Sequence, residues 1–200
     1  CHTYLDIGVN IGTHSIIYSK IFKSVISFEP DDYNYNQTKE NLLISNVTNV
    51  ELMNKALGSK KGFVKTLQHS NHSRGGIFTQ LTNDNKGIGQ ITLDSLKLNN
   101  IDYIKIDVEG NELDIMKGAI ETIKENKPII EFEYNHTSKR LNIKYDNIEK
   151  FLNNLNYRFD KHFESNFYFI YDNTNSNKKI FTEIYKNCIW NNNNPNIPLS

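Results

Sequence analysis

The chain has 200 residues, and its 23 Lys plus Arg balance its 23 Asp plus Glu, so the formal net charge is zero. This length suits one domain with a sizeable core. Phosphate binding needs clustered Lys and Arg, and no such stretch occurs, so nucleic acid is not expected as a partner. No apolar run approaches the ~20 residues of a membrane span.

The two cysteines, Cys1 and Cys188, lie far apart in the sequence and show no metal-type spacing. We therefore expect two free thiols in a reducing compartment. That compartment is the cytoplasm, or the cytoplasm of a host cell if the source is a virus.

The first 22 residues predict a strand, a glycine turn and the start of a helix. The apolar run 3–7 contains Asp6. Gly8 and Gly12 lie in the turn that follows, and residues 13–22 have a helical pattern. Glycines allow a sharp turn and a close approach of a ligand to the backbone. The free N–H groups at the helix start suit a polar or anionic ligand, and Asp6 suits a cationic amine. The same string also fits a simple tight bend.

A second strand, residues 24–28, ends in Glu29 and Pro30. Glu29 follows Asp6 at about the 20-residue interval of nucleotide-binding units. A carboxylate there can accept both hydroxyl protons of a ribose. Pro30 lacks an N–H and so ends the strand. The pair of motifs favours a nucleotide-type pocket over a simple bend.

Strands and helices continue to alternate to about residue 135. The further predictions are helix 32–45, strand 50–53, a hairpin-like segment 62–67, a short helix 93–98, strand 102–106, helix 112–125 and strand 128–133. In the first of these helices we expect Asp31 or Asp32 as N-cap and Leu42 and Leu43 on the buried face. Residues 68–90 show little periodicity, which predicts a long loop.

The last third of the chain has a different character. It predicts helix 146–155, strands 156–159 and 166–171, helix 180–190 and a loose C-terminal tail 191–200. The two aromatic strands are typical of an antiparallel hairpin at a sheet edge. We therefore predict one α/β domain, residues 1–190, with a doubly wound, Rossmann-like sheet that is mostly parallel and has an antiparallel C-terminal hairpin strand. Ligands of such sheets bind beyond the carboxyl ends of the strands.

In this arrangement the motifs resemble the FkbM-type family of class I methyltransferases, which use S-adenosylmethionine. The matching strings, in family order, are residues 6–12, Phe28-Glu-Pro30, Asn41, Ala56-Leu57, residues 92–96, residues 104–112, and Glu131 with Glu133. Among them Lys-Ile-Asp-Val-Glu-Gly-x-Glu, residues 105–112, is the most specific. The resemblance implies O-methylation of small molecules, often sugars or glycan precursors.

The resemblance also implies the residues that bind the cofactor. They are Asp6, Gly8, Asn10, Gly12, Glu29, Pro30, Ala56 and Asp107. The first four would contact the methionine part of S-adenosylmethionine, Glu29 the ribose and Ala56 the adenine, with Asp107 beside the methyl group.

Methyl transfer to a hydroxyl needs alignment of oxygen, carbon and sulfur and a group that accepts the proton. Our candidates for catalysis are Asp107, His136 and Glu133, with Asp107 preferred because the end of its strand faces the crevice; His69 and His72 are further possibilities. Asp107, Glu109 and Glu133 could together hold Mg²⁺ or Mn²⁺. Glu112 fits a site role or a carboxylate stabilised at a helix N-terminus.

The leading hypothesis is an S-adenosylmethionine-dependent O-methyltransferase that acts on a sugar hydroxyl of a glycan or glycosylated precursor, with a terminal deoxysugar such as rhamnose as one acceptor. The first strand begins within a few residues of Cys1, so we expect a domain excised from a longer protein, fused to a partner such as a glycosyltransferase. A methyltransferase for another small molecule, RNA or protein, or a non-catalytic cofactor-binding module, are alternatives. An NAD-dependent reductase fits less well, because the turn is not G-x-G-x-x-G.

Overall fold

The computed structural model describes residues 1–68, 76–135 and 143–172. Its strands are β1 (Thr3–Ile7), β2 (Ser24–Phe28), β3 (Val50–Met53), β4 (Ala56–Leu57), β5 (Gly62–Gln68), β6 (Ile77–Thr82), β7 (Ile88–Ile91), β8 (Ile101–Ile106), β9 (Ile129–Glu133), β10 (Tyr157–Phe163) and β11 (Asn166–Tyr171). Its helices are α1 (Thr13–Tyr18), α2 (Asp32–Ile44), α3 (Glu112–Lys117), α4 (Ile120–Asn126) and α5 (Tyr145–Asn153), with a 3₁₀ turn at Leu93–Leu96.

Within the described ranges, seven strands form one sheet in the order β3-β2-β1-β8-β9-β11-β10. β11 runs antiparallel to both of its neighbours, whereas the other pairs are parallel. This confirms the predicted doubly wound, mostly parallel sheet with a reversed strand in a C-terminal hairpin. The strand order changes direction between β1 and β8, and this switch point is where such sheets bind ligands.

The core lies on both faces of this sheet because side chains alternate along each strand. Leu5 and Ile7 of β1 belong to the larger cluster, which includes residues of β8, β9, α3, α4 and α5. Tyr4, on the opposite face, packs in a second cluster with Phe22 and Tyr103. The alternation also sends Asp6 to the face of Tyr4, which matters for the site.

The first two helices differ from the prediction in one end and in one buried side chain. α1 stops at Tyr18 rather than at residue 22, and turns then carry Phe22 into the core. α2 is capped by Asp31, whose carboxylate accepts the backbone N–H groups of Tyr33 and Asn34. The expectation that Leu43 is buried was wrong: it is 77% exposed, while Leu42 is buried. Successive helical residues point ~100° apart, and the narrow buried face of α2 includes Leu42 but not Leu43.

The predicted helix 112–125 is divided at Gly118 into α3 and α4. A Cβ at Gly118 would lie 2.0 Å from the carbonyl oxygen of Gly58. The chain therefore interrupts the helix at a residue that lets another backbone segment approach closely.

The long loop predicted for residues 68–90 was wrong over its described part. β6 and β7 lie there, and they join β4 and β5 in a second sheet of order β4-β7-β5-β6 within the described residues. β5 and β6 pair antiparallel from Phe63–Thr82 to Gln68–Ile77. Most of their side chains are only partly buried, so the alternation that identifies a strand from sequence is weak.

Several predictions fall outside the described residues, namely those on His69, His72, His136, Cys188, helix 180–190 and the tail 191–200. The boundaries of the domain, residues 1–190, stay a prediction. Of the helices described, none has the length and apolarity needed to traverse a bilayer.

Candidate active site

The carboxyl ends of β1, β2, β8 and β9 open into one cleft, closed on a further side by β4 and β6. The cleft holds about 840 Å³ of empty space, part of it open to solvent. The predicted site residues that line it are Gly8, Asn10, Glu29, Pro30, Ala56, Asp107, Glu109 and Glu133. The structure thus brings together residues spread over more than half of the chain.

The glycine turn forms the floor between β1 and β8. Gly8 has φ +88°, and a Cβ there would lie 1.8 Å from the carbonyl oxygen of Asp107. Only glycine fits this conformation and this spacing. Gly12 has φ +89°, and its Cβ would lie 2.9 Å from Thr38 Cγ2 of α2. Its lack of a Cβ lets α2 pack against the turn; Gly12 is not in the cleft lining, and its contact with the cofactor stays a prediction.

Glu29 is positioned by backbone groups on either side. The N–H of Asn10 donates to Oε2 at 2.8 Å, and the N–H of Asp31 donates to Oε1 at 2.9 Å. Burial raises the pKa of Glu29 to about 7, although these two N–H groups act in the opposite direction. Glu29 therefore loses its proton near neutral pH, and the carboxylate so formed can accept hydrogen bonds from a ligand in the cleft.

Asp6 lies behind the turn rather than in the cleft. Its carboxylate accepts a 2.6 Å hydrogen bond from the Ser15 hydroxyl of α1, and only 1% of the residue is exposed. Burial raises the pKa of Asp6, and the nearby Lys105 opposes that shift. Direct contact of Asp6 with the cofactor stays a prediction; its hydrogen bond with Ser15 joins β1 to α1.

A row of polar side chains, all buried except the partly buried Tyr168, crosses the sheet on the face of Asp6. Register places Ser27, Asp6, Lys105, Glu131 and Tyr168 side by side on five neighbouring strands. A buried charge is costly unless it is paired. A lysine inside the apolar strand β8 is a sequence signal of this row, but Lys105 was not among the predicted site residues.

Lys105 connects this row with the cleft. Its Nζ donates to Asp107 Oδ2 at 2.7 Å, and its side chain is only 3% exposed. Burial alone would raise the pKa of Asp107, but the Lys105 ammonium outweighs this effect and holds that pKa below its usual value. Asp107 is therefore ionised at neutral pH.

Asp107 and Glu133 form a carboxylate pair at the ends of adjacent strands, β8 and β9. Burial, followed by the negative charge of Asp107, raises the pKa of Glu133 to about 7. Two donors hold Glu133 in place: the Ser165 hydroxyl at 2.9 Å and the Asn135 amide at 2.7 Å. The pair thus combines one ionised carboxylate with one that exchanges a proton near pH 7.

The predicted metal site is not formed by these carboxylates. In residues 1–68, 76–135 and 143–172, no three His, Cys, Asp or Glu side chains are close enough together to hold a metal ion. Glu109 lines the cleft, in a left-handed turn of φ +55°. The positive charge next to Asp107 comes instead from Lys105.

Glu112 is buried outside the cleft and accepts a hydrogen bond from the backbone of its own loop. It is 1% exposed and absent from the cleft lining, and its Oε1 accepts the N–H of Gly110 at 2.9 Å. Burial raises its pKa to about 7. The contact closes the loop between Asp107 and α3, which agrees with the helix N-terminus interpretation.

β6 supplies a wall of the cleft that our sequence analysis missed. Ile77, Phe78 and Thr79 line the cleft. The Asn111 amide donates to the Thr79 carbonyl at 2.9 Å and to its hydroxyl at 3.1 Å. The second sheet is therefore tied directly to the loop that carries Asp107.

Comparisons with known proteins agree with this arrangement. The family model for the methyltransferase FkbM domain matches residues 6–159. The fold is similar to an FkbM methyltransferase from Methylobacillus flagellatus KT, at 20% identity and a TM-score of 0.59, over 84% of this chain and 43% of that one. The chain thus spans less than half the length of that relative.

Two further structures share the fold. A putative methyltransferase from Streptococcus mutans, in complex with SAH, is 14% identical with a TM-score of 0.52, over 84% of this chain and 85% of that one. A ribosomal protein L11 methylase from Lactobacillus delbrueckii subsp. bulgaricus is 14% identical with a TM-score of 0.51, over 86% and 70%. A search of curated proteins gave no significant match.

The family match covers well over half of the chain, and strand order, glycine turn and acidic strand ends agree with it. The chain belongs to the FkbM family of S-adenosylmethionine-dependent methyltransferase domains.

Proposed function

We propose that this domain transfers the methyl group of S-adenosylmethionine to a hydroxyl of a sugar in a glycan or glycosylated precursor. The observation that carries the proposal is the Asp107–Glu133 carboxylate pair, which lies in the same cleft as the glycine turn and Glu29. A methyl donor and a hydroxyl acceptor can therefore meet in front of a group that takes up a proton.

The donor half of the cleft suits S-adenosylmethionine. Gly8, Asn10, Glu29, Pro30 and Ala56 all line the cleft. We assign Gly8 and Asn10 to the methionine part, Glu29 to the ribose hydroxyls and Ala56 to the adenine, with Pro30 as a further cofactor contact. The cofactor carries a positive sulfonium, which the ionised Asp107 stabilises electrostatically. All of these groups except Ala56, which begins β4 of the second sheet, lie just beyond carboxyl ends of the main sheet, where an open α/β sheet binds its ligands.

The acceptor half provides the proton chemistry. A hydroxyl that attacks the methyl carbon must lose its proton as the new oxygen–carbon bond forms and the carbon–sulfur bond breaks. Glu133, with a pKa of about 7, is matched to accept that proton at neutral pH. Asp107, held ionised by Lys105, accepts a hydrogen bond from the hydroxyl and aligns its oxygen.

A sugar acceptor fits the polar rim of this half, which contains Glu109, Glu133 and Thr79. A terminal deoxysugar such as rhamnose is the acceptor we would test first. A glycosyltransferase domain in the same polypeptide is the partner we propose, because it would supply a glycan to be methylated.

The test is an assay with radiolabelled S-adenosylmethionine and a panel of glycans, with RNA and protein acceptors as further arms. We expect label in a glycan, and no transfer by Asp107→Ala although that variant still binds S-adenosylhomocysteine. Asp84→Ala, in an exposed turn, is the matched control. Label found only in RNA or protein would overturn the sugar acceptor. An EDTA arm tests metal dependence directly.

A further inference from the structure

Asn34 is a buried side chain of the cleft lining whose oxygen has no partner among the described residues. It lies in the first turn of α2, and only 3% of it is exposed. No donor in that part of the chain reaches Oδ1. Buried polar atoms in native proteins are nearly all hydrogen-bonded, so an exception beside a binding cleft points to a ligand.

The geometry of α2 places Asn34 at the ribose end of the cleft. Residues four apart share a helix face, and Thr38 on that face donates from its hydroxyl to the Asn10 carbonyl at 2.7 Å. The N–H of the same Asn10 donates to Glu29 Oε2. Asn34 therefore faces the glycine turn next to the carboxylate that we assign to the ribose.

Glu29 alone is an incomplete partner for a ribose. Both of its oxygens already accept a backbone N–H, and a carboxylate offers no donor. A ribose has two neighbouring hydroxyls, and each of them both donates and accepts. An amide oxygen is a further acceptor, which can take the proton of the second hydroxyl, and the amide N–H groups are donors that a carboxylate lacks.

We propose that Asn34 is a second ribose-binding residue, whose Oδ1 accepts a hydrogen bond from one ribose hydroxyl while Glu29 accepts one from the other. The inference rests on the proposed function, since the ribose is that of S-adenosylmethionine. It adds a specificity-determining residue to the cofactor site, because only a ligand with both hydroxyls satisfies both side chains.

The first test is calorimetric titration of S-adenosylhomocysteine into the wild-type protein and Asn34→Leu. We expect about tenfold weaker binding by the variant, the usual effect of losing one hydrogen bond. Thermal unfolding should show the variant at least as stable as wild type, because the substitution removes a buried oxygen without a partner. Asn34→Ala gives the same comparison if leucine is not accommodated. Asn36→Ala, exposed on the same helix, should bind like wild type.

The second test uses the 2′-deoxy and 3′-deoxy analogues of S-adenosylhomocysteine. One of these two analogues lacks the hydroxyl that Asn34 contacts, so Asn34→Leu should bind that analogue as tightly as the wild-type protein does. A loss that persists with both analogues, or equal binding of S-adenosylhomocysteine by variant and wild type, would overturn the assignment of Asn34 alone. A wild-type protein that binds no S-adenosylhomocysteine would overturn the proposed function and this inference with it.

Discussion

The Nζ of Lys105 lies 2.7 Å from Oδ2 of Asp107, and this ion pair joins the buried interior of the sheet to the open cleft. The lysine side chain is 3% exposed and the aspartate side chain 32%. Burial lowers the pKa of Lys105, but the negative charges of Asp107, Glu131 and Asp6 together outweigh burial, so this pKa lies above its ordinary value. One ammonium thus interacts with three carboxyl groups, and one of the three, Asp107, lines the cleft.

Lys105→Met should destabilise the fold by about 3–5 kcal/mol, the usual cost of removing one partner of a buried ion pair. The remaining carboxylates would be buried without a counter-ion. Urea denaturation measures the change. Lys124→Met removes an exposed pair with Glu121 and should change stability by less than ~1 kcal/mol. The double variant Lys105→Met/Asp107→Asn should recover part of the loss; strictly additive effects would show that the two residues do not interact.

Gly8→Ala should lower stability by about 1–3 kcal/mol and abolish detectable binding of S-adenosylhomocysteine. The new Cβ would meet the Asp107 carbonyl oxygen at 1.8 Å, in a backbone of φ +88°. Either the turn or the loop of Asp107 must move. Gly62→Ala is the matched control, because its Cβ would meet only Leu81 Cδ2, at 3.9 Å. Calorimetry measures the binding of S-adenosylhomocysteine by both variants, and thermal unfolding measures their stability. Equal losses in the two variants would contradict the role of Gly8.

Binding of S-adenosylhomocysteine should weaken as the pH falls below about 7. The reason is that burial raises the pKa of Glu29 to about 7, and ribose hydroxyls donate to the ionised form. Affinity should fall by up to about tenfold per pH unit while the free protein is protonated and the complex is not. Glu29→Gln cannot ionise, so we expect weak binding that no longer depends on pH between 6 and 8.

Glu133 also has a pKa of about 7, so Glu133→Gln is measured beside Glu29→Gln. If the pH dependence is lost in Glu133→Gln and kept in Glu29→Gln, the ribose assignment of Glu29 is wrong. Glu40→Gln, exposed on α2, should behave like wild type throughout.

Glu112→Gln should stabilise the protein at pH 8 and have little effect at pH 5. Burial raises the pKa of Glu112 from its ordinary value of 4.5 to about 7. In the wild type, stability is full below pH 4.5 and is lost as the pH rises to 7, because the unfolded chain releases this proton first. Glutamine keeps the acceptor for the Gly110 N–H but carries no charge. We expect a gain on the order of 2 kcal/mol at pH 8 in urea denaturation. An equal gain at both pH values would rule out this explanation.

Much of the site could be predicted from local sequence. Gly8, Glu29 and Asp107 each come directly after a short, mostly apolar run that forms a strand. In a parallel sheet the carboxyl ends of such strands all meet at one edge. The family motif at residues 105–112 added the reaction class. Local pattern was enough here because strand, turn and helix start are neighbours along the chain.

The sequence could not predict which buried side chains lie next to each other. Asp6, Lys105 and Glu131 are far apart in the chain and become neighbours only through strand register. β6, whose side chains are only partly buried, lacks a clear period and looked like a loop.

Sequence by itself determined the fold class, the acidic strand ends and the glycine turn, because chemistry and backbone conformation are properties of single residues and short runs. Only the tertiary structure decided that Asp6 lies behind the turn, that Lys105 pairs with Asp107, and that Asn34 lines the cleft. Those relationships depend on register and helix packing, which are set by contacts between segments distant in sequence.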